Sequence, residues 1–401
     1  MSGYNRRTFL AGALATGIAG AVARTAQAGA DAGAPPVPPF HGPHQAGILN
    51  PARRRTVVAA FDIVADGKAE LTELFRTLTD RARSLTTGGV PPEPGITAPP
   101  ADSGILGPNV PAGALTVTLG LGASLFDDRY GLASRKPAGL VQMPVFPNDD
   151  LDPAWCHGDL SLQLEADDDD TVLHAFRDLA RHTRGAMQVR WRMNGFVSPP
   201  RPSGTPRNFM GFKDGISNPD TNDAAEMDRL VWVRDERPET AWTTGGSYVA
   251  FRLIRMLVEF WDRVGISEQE QMFGRTRDTG APLDGAHEQD VPRYELDPAG
   301  KAIPITSHIR LANPRKPETD DSRILRRSFN YDRGVDDVGN LDVGLLFTSY
   351  QQDLHRQFEA VQMRLVDEPL VDYISPFGGG YFFVVPGVPD TSEFYLQSIL
   401  I

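Results

Sequence analysis

From Thr56 to Met193 the hydrophobic period of this 401-residue chain switches repeatedly between two and 3.6, and the order of the switches limits the fold. Thr56–Val64 is β-branched and apolar enough for a buried strand, and Lys68–Leu85 places Leu71, Leu74, Phe75 and Leu78 at helical spacing. Leu115–Leu121 and Asp159–Glu165 alternate as strands do. Thr171–His182 carries Val172, Leu173, Phe176 and Leu179 as an amphipathic helix, and Gln188–Met193 closes the unit as a strand. The order is β-α-β-β-α-β, the ferredoxin-like arrangement. The second half repeats that rhythm loosely, with strand Ser247–Ile254, a helix through Leu257, Phe260 and Trp261, strand Gly344–Tyr350, helix Asp353–Leu365 and strand Tyr381–Val385. The expected fold is therefore α+β: two ferredoxin-like domains, 51–220 and 221–401, with antiparallel sheets packed together, made by duplication of one unit.

The N-terminus reads separately. Arg6-Arg7 precedes Thr8-Phe9-Leu10, an Ala/Gly run from Ala11 to Ala23, and Ala26-Gln27-Ala28 as a small-residue cleavage site. This is the pattern of a twin-arginine (Tat) signal over 1–28, predicting export to the periplasm or outside the cell. A membrane anchor fits worse, because the apolar run is shorter than the roughly 20 residues that span a bilayer. Residues 29–50, rich in Pro, Gly and Ala, read as a mobile linker or extended arm. A net charge of −12 argues against nucleic acid as a partner. The single cysteine, Cys156, allows no intrachain disulfide. The acidic run Asp167–Asp170 suggests either a calcium site or, more simply, carboxylates favoured at a helix N-terminus.

Chemistry concentrates in three segments. Gly211-Phe-Lys-Asp-Gly-Ile-Ser-Asn-Pro219 holds Asp214 between two glycines, so the backbone can approach a flat ligand closely. His308 lies in His-Ile-Arg-Leu-Ala-Asn-Pro-Arg, and Arg326 in Ile-Leu-Arg-Arg-Ser-Phe-Asn-Tyr. In this order and separation the three segments resemble the dye-decolourising (DyP-type) haem peroxidases, from about Gly47 to the C-terminus. The likeness is greatest to the exported subgroup that includes the deferrochelatase/peroxidase of bacterial iron-uptake operons.

The resemblance implies one haem b per chain, held mainly by the C-terminal domain. No Cys-x-x-Cys-His is present for covalent attachment. It carries the axial iron ligand onto His308, the acid–base carboxylate onto Asp214 and the cation beside it onto Arg326. Arg327 remains an alternative, because neighbours on an extended segment point in opposite directions. Backbone N–H groups of Gly215, Ile216 and Ser217 are candidates for the haem propionates, with Asn313, Pro314, Arg315 and Arg275 implied by the family. Glu368, before a Gly378-Gly-Gly380 loop, is the first choice for the acceptor behind His308, with Asp367 and Asp372 as rivals. A carboxylate of ordinary pKa, about 4, predicts an activity optimum in mildly acid solution. Relatives of a shorter subgroup carry asparagine two residues after the arginine, where this chain has Ser328.

The implied function is reduction of hydrogen peroxide through a ferryl intermediate with oxidation of aromatic dyes, phenols or similar one-electron donors. Trp155, Trp191, Trp232, Trp242 and Trp261 are the tryptophans available as relays to bulky donors. Release of iron from haem with the porphyrin intact, and haem carriage without catalysis, are the alternatives. An iron-uptake system and a second copy in a homodimer stand as open partner readings.

Overall fold

The computed structural model describes residues 37–234 and 240–401. The segment 1–28, expected from the sequence to be an export signal, and the start of the expected linker lie outside the described residues. The first half contains β1 Arg55–Ile63, α1 Lys68–Thr87, β2 Thr116–Gly122, β3 Leu160–Ala166, α2 Asp169–His182 and β4 Met187–Phe196. After α3 Ala224–Leu230 come β5 Ser247–Met256, α4 Val258–Trp261, α5 Ile266–Phe273 and α6 His308–Ala312. Then follow β6 Leu325–Arg326, β7 Phe329–Val335, β8 Leu341–Gln351, α7 Ala360–Arg364, β9 Ile374–Val384 and α8 Gln397–Leu400.

Both halves use one topology. The first sheet runs β2-β3-β1-β4 and the second β7-β8-β5-β9, all antiparallel, so each reads second, third, first, fourth within its half. The two are also joined at their edges. β2 pairs with β9 through Gly120–Gly122, and β4 meets β7 at Phe196↔Asn330. This pairing covers edges that would otherwise expose unpaired backbone groups. Part of the expected linker belongs to this seam: Gln45 is buried, donates from Nε2 to the carbonyls of Leu119 and Val385 at 2.8 Å each, and accepts from Leu119 N–H at 2.8 Å. Residues 37–50 are thus an irregular arm of bends and turns pinned against the sheets.

Period-two alternation sorts the second sheet into two faces. Val249, Phe251 and Leu253 of β5 pack between the sheets with Val58, Ala60, Trp191, Met193, Leu346 and Phe382. Arg252, Ile254 and Met256 face the other way and, with Leu345, Phe347, Ile374 and Pro376, line a deep cavity. On the first half, α1 and α2 cover the outer face through Leu71, Leu74, Phe75, Leu78, Val172 and Leu179. The acidic run opens α2 and faces Arg53, Arg54 and Arg55.

Two expectations need correction. Gly378–Gly380 is strand, not loop, because another piece of backbone crosses it: His157 N–H donates to Gly379 O at 2.8 Å, and a Cβ on Gly378 or Gly380 would strike Trp155 or His157. The helix expected over Asp353–Leu365 starts with a π-helical stretch, Leu354–Glu359, before α7. Such turns recur at functional sites, and here the region brings Phe358, Val361 and Gln362 to the cavity wall.

Candidate active site

His308 is the first residue of α6, and Arg364 fixes that single turn by donating to the carbonyls of Leu311 at 2.9 Å and Ala312 at 3.0 Å. His308 Nδ1 lies 2.7 Å from Glu368 Oε2. Glu368 is therefore the acceptor. Its rivals Asp367 and Asp372 are exposed, whereas the Glu368 side chain is only 4 % accessible. Burial pushes the imidazole pKa down, and the adjoining Glu368 carboxylate pushes it up by more, so its net direction is upward. With Nδ1 engaged, Nε2 has no partner among the described residues, and the ring lines the cavity.

The same cavity receives Asp214 and Arg326. Gly211 and Gly215 adopt φ of +87° and +101°, which lets the loop turn on either side of the carboxylate. Arg326 Nη1 donates to Asp214 Oδ1 at 2.8 Å. Its backbone is held by a residue that sequence reasoning did not single out: Asn218 Oδ1 accepts from Arg326 N–H at 3.1 Å, and Asn218 Nδ2 donates to Arg326 O at 2.8 Å. Asn218 was legible only as a turn former beside Pro219.

Arg327 turns away from the cavity, as alternation along an extended segment requires. Its Nε and Nη2 form a fork on Glu165 at 2.7 and 2.6 Å, and it also donates to the carbonyls of Asn50 and Pro51. Both side chains are buried, at 7 % and 1 % accessibility. Removing one partner leaves a buried charge uncompensated, so Arg327→Met should cost about 3–5 kcal/mol. Urea denaturation of Arg327→Met beside Arg326→Met checks this; equal loss of stability in the two would refute the assignment.

The loop beyond Asp214 supplies a different chemistry. The amides of Gly215, Ile216 and Ser217 donate to nothing among the described residues, and all three residues line the cavity. Arg275 is 5 % exposed, and its Nη1 donates to the carbonyls of Gly280 at 2.6 Å and Glu288 at 3.1 Å. Burial, with Arg315 and Arg326 nearby, brings its pKa down to about 10 despite Tyr294. An anion placed here would restore what burial takes away. Arg315, at φ +55°, and Asn313 stand at the rim, where a second cavity shares Ile216, Ser217, Arg275 and Asn313 with the first. Pro314, implied for the cofactor by the resemblance, lines neither cavity.

These residues fit a haem: an imidazole with one free nitrogen, apolar walls, and unpaired donors for two carboxylates. Lys213 and Arg252 also line the cavity and were not anticipated; each is paired with a carboxylate, Glu288 and Asp149 respectively. Ser328 is not among the lining residues, and its buried hydroxyl has no hydrogen-bond partner among the described residues. Of the tryptophans, Trp191, Trp232 and Trp261 are buried, while Trp155 and Trp242 are partly exposed.

Two family models match the chain, the Dyp-type peroxidase N-terminal model over residues 45–197 and the C-terminal model over 205–389. The second match takes in the Gly211–Pro219 loop together with His308, Arg326 and Glu368. A deferrochelatase of Escherichia coli O6:K15:H31 is 52% identical over 368 residues, covering 90% of this chain and 87% of the relative. Its counterpart in Escherichia coli K12 is 51% identical over 367 residues, with the same coverage. Among solved structures, a DyP-type peroxidase from Cellulomonas bogoriensis superposes with a TM-score of 0.81 at 37% identity, covering 92% of this chain and 99% of that one. Ferric DtpA from Streptomyces lividans gives 0.80 at 36% identity, covering 90% and 96%. Matched along both halves by sequence and by fold, the chain belongs to the Dyp-type peroxidases and is a haem b enzyme.

Proposed function

We propose that His308 is the axial ligand of the haem, that Asp214 is the acid–base group for hydrogen peroxide with Arg326 as the cation beside it, and that Gly215–Ser217, Arg275 and Arg315 hold the propionates. The observation that carries this reading is convergence: the His308–Glu368 and Asp214–Arg326 pairs meet in one cavity whose rim holds unpaired donors. When bound, haem supplies the redox-active iron. Glu368 Oε2 keeps the proton on His308 Nδ1, which fixes the tautomer and leaves Nε2 as the ligating atom. Asp214 takes a proton from one oxygen of hydrogen peroxide and returns it to the other, which leaves as water. Arg326 Nη1 orients that carboxylate and offsets negative charge as the O–O bond breaks. One-electron donors then complete the cycle.

The curated relatives favour a second reading, release of iron from haem with the porphyrin left intact. One experiment separates the two. Haem-loaded protein is mixed with stoichiometric hydrogen peroxide under stopped flow, and a parallel anaerobic sample with reductant is followed for free-porphyrin fluorescence. A rapid Soret change with peroxide and no porphyrin emission is expected. A loaded protein inert to peroxide that accumulates free porphyrin would replace the first reading with the second.

A further inference from the structure

Asp214 meets Arg326, while its neighbour Lys213 makes an ion pair of its own. The Lys213 side chain is 3 % accessible; Nζ donates to Ser203 O at 2.7 Å and pairs with Glu288 Oε2. The other oxygen of Glu288 accepts from the N–H and hydroxyl of Thr205, both at 2.8 Å. Two glycines at positive φ let the chains close over this pair: a Cβ on Gly280 would strike Lys213 Cδ, and one on Gly204 the Glu288 carboxylate. Arg207 ties the same segments again, donating to Gly211 O at 2.8 Å and to the carbonyls of Arg277 and Asp278. Asp214 itself is held directly by one backbone bond, its N–H to Pro206 O at 3.0 Å, in a loop whose glycines leave the backbone free. Arg326 Nη1 holds the carboxylate itself, whereas the backbone that carries it toward Arg326 is placed by what anchors the residue beside it.

We infer that Lys213 is a positioning residue, clamped by Glu288 so that the loop presents the Asp214 carboxylate to Arg326 and to peroxide. The inference rests on the proton-transfer role proposed for Asp214. Glu288 has a second contact that makes the clamp informative: its backbone carbonyl accepts from Arg275 Nη1. Replacing only its carboxyl group changes the clamp and leaves that contact to the propionate end in place.

The test uses full-length, haem-loaded protein carrying Lys213→Met, Lys213→Arg or Glu288→Gln. Three quantities are measured: the second-order rate with hydrogen peroxide, fluoride affinity of the ferric protein by Soret titration, and haem loss to apomyoglobin. Fluoride in the peroxide position would accept a hydrogen bond from Arg326 and, when taken up with a proton, one from the protonated Asp214 carboxyl, so its affinity reports the placement of both without turnover. A displacement near 1 Å costs on the order of a hundredfold in a proton-transfer step, so Lys213→Met and Glu288→Gln should lower rate and fluoride affinity by at least about tenfold. Lys213→Arg should recover most of both, and haem loss from Glu288→Gln should match wild type. If Lys213→Met fails to fold, Glu288→Gln carries the test. Variants that lose thermal stability yet keep wild-type rate and fluoride affinity would overturn the inference. A wild type inert to peroxide would instead sink the proposed function, and the fluoride comparison would still decide whether the clamp positions the loop.

Discussion

Replacing Asp214 with alanine should slow the reaction of the haem-loaded protein with hydrogen peroxide by about 10²- to 10⁴-fold, the range lost with a positioned general acid–base group. Haem binding should survive, because the groups assigned to hold it do not include the Asp214 side chain: they are His308 on α6, Arg275 after α5, Arg315, and the backbone amides of Gly215–Ser217. Stability should barely change. The Asp214 and Arg326 side chains are 21 % and 24 % accessible, and a pair that open contributes about 0–1 kcal/mol. Arg326 is also not released by the loss of its partner, since Asn218 and the β6–β8 pairing at Ser349 hold its backbone. Asp214→Asn sharpens the comparison by keeping shape and hydrogen bonding while removing the base. Stopped-flow rates for both variants, beside thermal melting, check the argument. A rate within about threefold of wild type in Asp214→Ala would remove the carboxylate from the mechanism and point to solvent as the proton carrier.

Much of this site was legible because the chemistry is local in sequence. Asp214 stands between glycines that its turn requires, and His308 and Arg326 sit in segments distinctive enough to carry a family resemblance. What stayed open depended on direction or distance. Arg326 and Arg327 are equivalent on paper, and only the side from which Glu165 and Asn50 approach sorts them. Glu368 acts across 60 residues, so nothing near it in the chain distinguishes it from Asp367. Lys213 read as one more polar loop residue, because its partner Glu288 lies 75 residues away. The fold shows the same division. Strands with one clean apolar face were found, but β7 was missed: Phe329, Asn330 and Tyr331 are buried in succession and the rest of the strand is exposed, which breaks the alternation that marks a strand. The glycine run in β9 misled for a related reason. Glycine signals a loop unless a crossing backbone demands it, and the crossing segment is more than 200 residues upstream.

The largest effect on the cofactor should come from His308→Ala, which removes the nitrogen assigned to the iron while leaving its surroundings standing. Arg364 still holds the end of α6 through Leu311 and Ala312, and Ser307 still opens it, so the cavity should keep its shape. The variant should therefore fold and take up porphyrin loosely, with an altered Soret band and no measurable reaction with peroxide. Added imidazole should enter the vacated space and restore part of the spectrum. Glu368→Gln tests the other half of the pair. It preserves an acceptor for Nδ1–H but removes the charge that raises the imidazole pKa against the effect of burial. A weaker ligand results, and partners behind a metal-ligating histidine typically contribute about 10- to 100-fold in affinity or activity, so a loss in that range is expected. Two outcomes would break the assignment: a wild-type Soret band in His308→Ala, which would require another axial ligand, or a Glu368→Gln variant as impaired as His308→Ala. In the second case Glu368 would be acting as a structural anchor at the start of Pro369–Tyr373, and its loss would register as lower thermal stability of the haem-free protein.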